Sequence, residues 1–254
     1  MSIIPLVTGF LVFARIGALM MIMPGFSAKG VPSMARLGAA LPLSVVLYPS
    51  VSGTRIPLTV PALLGCTVTE VMLGLAMGMV VSMCYGAMSM AADIMASKMG
   101  FSIGGMLNPL SHTSESPLGL LCTWLATAVF FVTDTHLKAI SAVAASFSVL
   151  PPGAIVHPMR LGGVLVEVAT SVCMLSVQLA GPIVAFVMMV NVAMMMLGRM
   201  APNLQLFFSI GTTVTVVAGV ALLTAAMPSL LGVYAHGLED IPKWIAALVE
   251  VSGG

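Results

Sequence analysis

Charge is what this sequence has least of. Asp, Glu, Lys and Arg together make up 7% of its 254 residues, where an ordinary soluble domain carries about 25%. The net charge is +1, so there is neither a basic stripe for nucleic acid nor an acidic tail. Cys66, Cys84, Cys122 and Cys173 stand far apart inside apolar runs, with no CxxC or Cys/His spacing. That spacing argues against zinc and iron–sulfur sites and leaves the thiols to pack as small hydrophobes. His112, His136, His157 and His236 are equally scattered. HExxH, GxSxG, P-loop and dinucleotide fingerprints are all missing. Ser111 and His112 are neighbours in the chain, which does not set a hydroxyl against an imidazole. The expectation is a protein without enzyme chemistry and without a cofactor.

Apolar residues are what the sequence has instead, at 59% of the chain and a mean hydropathy of +1.14. Such a composition predicts a membrane-inserted protein. The first apolar run, Ile3 to Met23, lacks a basic leader, carries Arg15 in its middle and is about as long as a spanning helix. It reads as a retained helix and not a signal peptide. Pro, Gly and charge divide the rest into apolar segments at roughly 4–23, 34–50, 61–99, 117–149, 158–198, 204–227 and 229–250. Alternation is absent, and in lipid a backbone that must satisfy itself favours helices. The fold class expected is an all-α membrane protein, with residues 1–254 forming a single helical domain. Segment 61–99 would be about 58 Å long as one helix, against a hydrocarbon core of about 30 Å. Segment 158–198 is similar, with Pro182 expected to kink it. Lys29, Arg55, Lys98, Arg160 and Arg199 fall on successive connections, so basic residues give no clear orientation.

Arg15, Glu70, Asp93 and Glu167 sit within apolar segments. A charge at mid-bilayer costs about 2.5–3.5 kcal/mol on insertion scales, so these side chains are expected to be buried against protein or water. An inter-helix ion pair such as Arg15 with Glu70 is the simplest arrangement. Asp134 and Lys138 have the spacing of a local helix pair. On the ridge of Glu70, the small residues Gly74, Gly78, Ser82 and Gly86 recur every four positions. Small side chains let another backbone approach, either within the chain or from another subunit. The 23 methionines suit irregular or changing surfaces; most are expected in the core, while Met194-Met195-Met196 and Met20-Met21 are candidates for an adaptable face.

Three stretches resemble the FliR/SctT export-gate family of flagella and injectisomes. Thr133 to Gly153 (TDTHLKAISAVAASFSVLPPG) contains His136, Ser146, Phe147, Leu150, Pro151 and Gly153 in the family's pattern. Gly198 to Gly211 (GRMAPNLQLFFSIG) supplies Arg199, Pro202 and Phe207. Glu70, Gly74, Gly78, Gly100 and Pro109 fall where the family has Glu, Gly and Pro, and Arg15, Pro24, Pro32 and Arg36 also fit. The His136 element is similar to the flagellar branch. Asn108 replaces the usual Asp, Asn203 and Gln205 are exchanged, and Thr212 stands where Phe-Pro usually follows Gly211.

The resemblance implies a core subunit of the flagellar type III protein export gate. Such a subunit would join FliP- and FliQ-type subunits in a pore for unfolded flagellar subunits, served by FlhA and FlhB. It implies a place in the bacterial inner membrane within the flagellar basal body, partly displaced toward the periplasm. Against this background the polar, glycine-studded stretch 100–116 reads as a plug. Gly100, Gly104 and Gly105 permit bends, and Asn108-Pro109 stops any helix. Phe101, Ile103, Met106 and Leu107 offer apolar bulk to close a channel. Ser116 and Pro117 then restart a helix. The alternative is a stand-alone secondary transporter or channel, which would want broken helices at matching positions of two repeats; no repeat is visible. A pore-free scaffold is the remaining reading.

Overall fold

The structure is a computed structural model that describes residues 3–25, 32–51, 59–101, 116–154, 156, 158–199 and 204–253. Of these residues 91% are helical and none forms a strand, so the chain is all-α, as its composition dictates. The elements are α1 (Ile3–Ile22), α2 (Ser33–Leu47), a 3-10 turn (Tyr48–Val51), α3 (Val60–Met99), α4 (Pro117–Val132), α5 (Thr135–Val149), α6 (Pro158–Gly198), α7 (Leu204–Leu238) and α8 (Ile241–Gly253). Among the described residues four helices are long and apolar enough to cross a membrane, or five if the bent α4–α5 pair counts as one span.

Local chemistry explains most boundaries. Gly25 has φ +85, a left-handed turn beyond the end of α1, and Arg36 Nη1 donates to the carbonyl of Met21 at 3.3 Å. Gly100 has φ +88 and the Phe101 amide returns to the Ala96 carbonyl at 3.0 Å, the glycine stop that satisfies the last carbonyls of α3. Ser116 Oγ then accepts from the Gly119 amide at 2.9 Å with Pro117 at the first helical position, so α4 starts where a serine cap and a proline require it. Pro151, Pro152 and Gly153 (φ +87) interrupt the chain between α5 and α6.

Two boundaries differ from the sequence reading. Segment 117–149 is two helices meeting at 58°, with Asp134 in the left-handed region at φ 53. The expected Asp134–Lys138 side-chain pair does not form at this break; instead the Leu137 and Lys138 amides both donate to the Asp134 carbonyl at 3.0 Å. Segments 204–227 and 229–250 are divided after Leu238, because α7 runs through Pro228. Helix α6 contains Pro182 within the bounds expected for segment 158–198. In apolar surroundings neighbouring groups can take up the carbonyl a proline frees, so the residue need not end a helix.

The residues group into two compact units. One comprises residues 1–85, 130–171 and 238–254. In it α1 packs on α2, α5 on α8, and the 3-10 turn against α1, α2 and α5. Helix α8 turns Ile241, Ile245, Leu248 and Val249 inward at helical spacing. The other comprises residues 86–129 and 172–237. Its core draws Met88, Met95 and Met99 from α3, Cys122 from α4, Ile183 from α6 and Tyr234 from α7. Ser176 Oγ donates to the Ala87 carbonyl at 3.1 Å, and Thr215 Oγ1 to Asn191 Oδ1 at 3.0 Å.

Candidate functional site

The most polar place in the first unit is also one of its driest. Arg15 on α1 is 0% exposed and Glu70 on α3 is 1% exposed. Two glycines bring them together. A Cβ on Gly74 would lie 2.2 Å from the Arg15 carbonyl oxygen and 2.8 Å from Ala18 Cβ, and one on Gly78 would lie 3.1 Å from the Leu19 carbonyl oxygen. Helix α1 therefore lies directly on the backbone of α3, one turn beyond Glu70, at a distance that only glycine allows at position 74.

In this seat the guanidinium forks onto the carboxylate: Arg15 Nε donates to Glu70 Oε2 at 2.6 Å and Nη2 to Oε1 at 3.1 Å. The remaining contacts come from α5 and the break that follows it. Arg15 Nη1 donates to Ser146 Oγ at 3.0 Å, and that hydroxyl donates to the Val143 carbonyl at 2.6 Å. Arg15 Nη2 also donates to the Leu150 carbonyl at 3.1 Å. The Gly153 amide donates to Glu70 Oε1 at 3.0 Å. Phe147 places its ring 4.3 Å from Arg15 Cζ, stacking an aromatic face on the cation. Two charges stranded in an apolar interior are tolerable only with such geometry and such additional hydrogen bonds.

The cluster unites Arg15, Glu70, Gly74, Gly78, Ser146 and Phe147, six of the residues singled out from the sequence, and leaves others apart. Ser82 and Gly86 are half-buried, and nothing lies within 4 Å of a Cβ on Gly86. Asp93 and Glu167, expected to be buried, are exposed on this chain; the faces of α3 and α6 that carry them are not turned into its core. Asp93 Oδ1 lies 3.0 Å from the Cβ position of Gly119. His136 stands against the rings of Phe131, at 5.1 Å, and Phe130, at 6.4 Å, and its buried Nδ1 has no hydrogen-bond partner. Pro151 is exposed at the end of α5, and Arg199 is exposed just past α6. Gly100 and Phe101 terminate α3, whereas Ile103, Gly104, Gly105, Met106, Leu107, Asn108 and Pro109 lie outside the described residues, as does Pro202. Phe207 falls in the first turn of α7, its side chain outside the description. The backbone groups of Leu150 and Gly153 as partners of the ion pair were not foreseen. A Pro-Pro-Gly break between two apolar helices, in a chain with an Arg and a Glu embedded in others, is the signal that points to them.

No group of three or more His, Cys, Asp or Glu side chains suited to a metal ion occurs among the described residues. What the cluster can do chemically is hold three separate pieces of chain together. The faces left outward are apolar: on α6, Met188, Met189, Val192, Met195, Met196 and Leu197 are all exposed. Met20, by contrast, is buried.

Comparison with known proteins bears on what such a chain belongs to. The family described as "Bacterial export proteins, family 1" matches residues 6–241. The chain is 30% identical over 233 residues to the flagellar biosynthetic protein FliR of Caulobacter vibrioides, covering 91% of this chain and 92% of that one. It is 27% identical over 238 residues to FliR of Escherichia coli, covering 93% and 90% respectively. It is also 26% identical over 212 residues to the Yop proteins translocation protein T of Yersinia pestis, covering 80% and 79%. With nearly its whole length inside one family, this chain belongs to the bacterial export proteins, family 1.

Proposed function

We propose that this chain is a core subunit of the flagellar type III export gate, which with FliP- and FliQ-type subunits forms a pore for unfolded flagellar subunits across the inner membrane. The observation that carries this reading is the alignment with a flagellar FliR over 92% of that protein's length, joined by the His136 element of the flagellar branch. FlhA and FlhB are the partners that supply cargo and drive. Part of the assembly stands toward the periplasm, which accommodates helices of about 60 Å, the length of α3 and α6 at 1.5 Å per residue. The chain works by shape and contact, not by catalysis.

Residues 100–116 act as the plug in this reading, sealing the passage with Phe101, Ile103, Met106 and Leu107 until cargo displaces them. Deleting Ile103 to Ser114 in the assembled complex is expected to raise ion permeability; unchanged permeability removes the plug from the proposal. For the function itself, the chain is co-expressed with FliP- and FliQ-type subunits and the complex weighed by native mass spectrometry. One heteromeric species containing this chain supports the proposal. A chain that purifies alone, well folded, and carries a solute unaided would instead establish a stand-alone transporter.

A further inference from the structure

We infer that Arg15 and Glu70 form a clamp of fixed polarity on the chain break between α5 and α6, so that the two charges cannot exchange places. An isolated ion pair between helices has no direction, since reversing it preserves the attraction. Here the break frees a carbonyl at Leu150 and an amide at Gly153, and each faces the charge that suits it. The Leu150 carbonyl receives Arg15 Nη2 at 3.1 Å, and the Gly153 amide points to Glu70 Oε1 at 3.0 Å. Leu150 is buried, so its carbonyl has little recourse to water, and a buried polar group left unmatched is strongly unfavourable. Phe147 votes the same way, because the face of an aromatic ring favours a cation. Ser146 is indifferent: its hydroxyl accepts from Arg15 and can rotate to donate to a carboxylate. Reversal would aim a carboxylate at a carbonyl and a guanidinium at an amide N–H, two repulsive contacts in a dry site.

The clamp thus spans α1, α3 and the α5–α6 joint at once, and removing one charge while the other stays releases the joint and α1 together. This inference does not depend on the export reading, and its test uses no export assay. Cys66 Sγ lies 3.9 Å from the Gly153 carbonyl oxygen. Ala154→Cys is therefore placed in the full chain, in its host membrane, with Cys84, Cys122 and Cys173 replaced by Ala. A short bifunctional thiol reagent then reports whether the break rests on α3. Against wild-type charges, Arg15→Met/Glu70→Gln keeps an acceptor for the Gly153 amide and is expected to hold cross-linking within about threefold. Arg15→Met/Glu70→Leu loses that acceptor and falls at least about fivefold further, and the exchanged pair Arg15→Glu/Glu70→Arg falls at least as far. Thermal midpoints of the purified chains rank in the same order. An exchanged pair that cross-links as well as Arg15→Met/Glu70→Gln overturns the inference. If the exchanged chain fails to accumulate, the Gln and Leu variants decide: equal cross-linking overturns it, and a clear advantage for Gln upholds it.

Discussion

At the scale of single residues, the buried ion pair sets the largest expected effects. Arg15→Met or Glu70→Leu alone leaves one uncompensated charge in a dry site and is expected to destabilise the chain by about 3–5 kcal/mol, measured by unfolding in detergent micelles. Ser146→Ala removes one hydrogen bond to a charged group and is expected to lose about 1.5–3 kcal/mol. The two glycines should separate clearly. Gly74→Ala drives a methyl to 2.2 Å from a backbone oxygen, whereas Gly78→Ala meets its nearest atom at 3.1 Å. The first is expected to cost at least about 2 kcal/mol more than the second in the same unfolding measurement. The Arg15–Glu70 pair was legible in the sequence because a charge inside a spanning segment needs a partner. Asp93 and Glu167, read by the same argument, are exposed on this chain. In helices that are apolar around their whole circumference, periodicity does not distinguish the inner face from the outer one.

At the scale of elements, the sequence was readable wherever the stop or start signal is local. The end of α3 at Gly100 and the start of α4 at Ser116-Pro117 follow from the φ of one glycine and one hydroxyl cap. Each has an expected outcome. Gly100→Ala, forced to φ +88, should lose about 1–2 kcal/mol, and Ser116→Ala about 1 kcal/mol, both visible as earlier hydrogen exchange in the flanking turns. The α4–α5 break was not legible, since Thr133-Asp134-Thr135 holds neither Pro nor Gly. Its strain sits on Asp134, so Asp134→Gly is expected to leave the bend intact and stabilise the chain by up to about 1 kcal/mol. Pro228 misled in the opposite sense. As a helix breaker it marked a boundary, yet α7 continues through it, and the boundary falls ten residues later at the polar turn Glu239-Asp240, where Lys243 Nζ meets Asp240 Oδ1 at 2.6 Å.

At the scale of the molecule, composition alone dictated helices and membrane, but not which apolar surfaces the chain keeps for itself. The exposed side chains of α6 from Met188 to Leu197 are an apolar surface the isolated polypeptide does not cover. In mild detergent the chain alone is therefore expected to be polydisperse by light scattering, and to become a single species when the FliP- and FliQ-type subunits proposed above are co-expressed. The glycine ridge of α3 carries a related consequence. Positions 74 and 78 are already occupied by α1, so in the turns that flank them an outside neighbour meets α3 on Met72 and Met79, with Leu64 and Val68 exposed nearer its start. Contact through long, bendable thioethers tolerates a range of approach angles that backbone-to-backbone contact would forbid. The rigid join is spent within the subunit, and the forgiving one faces outward.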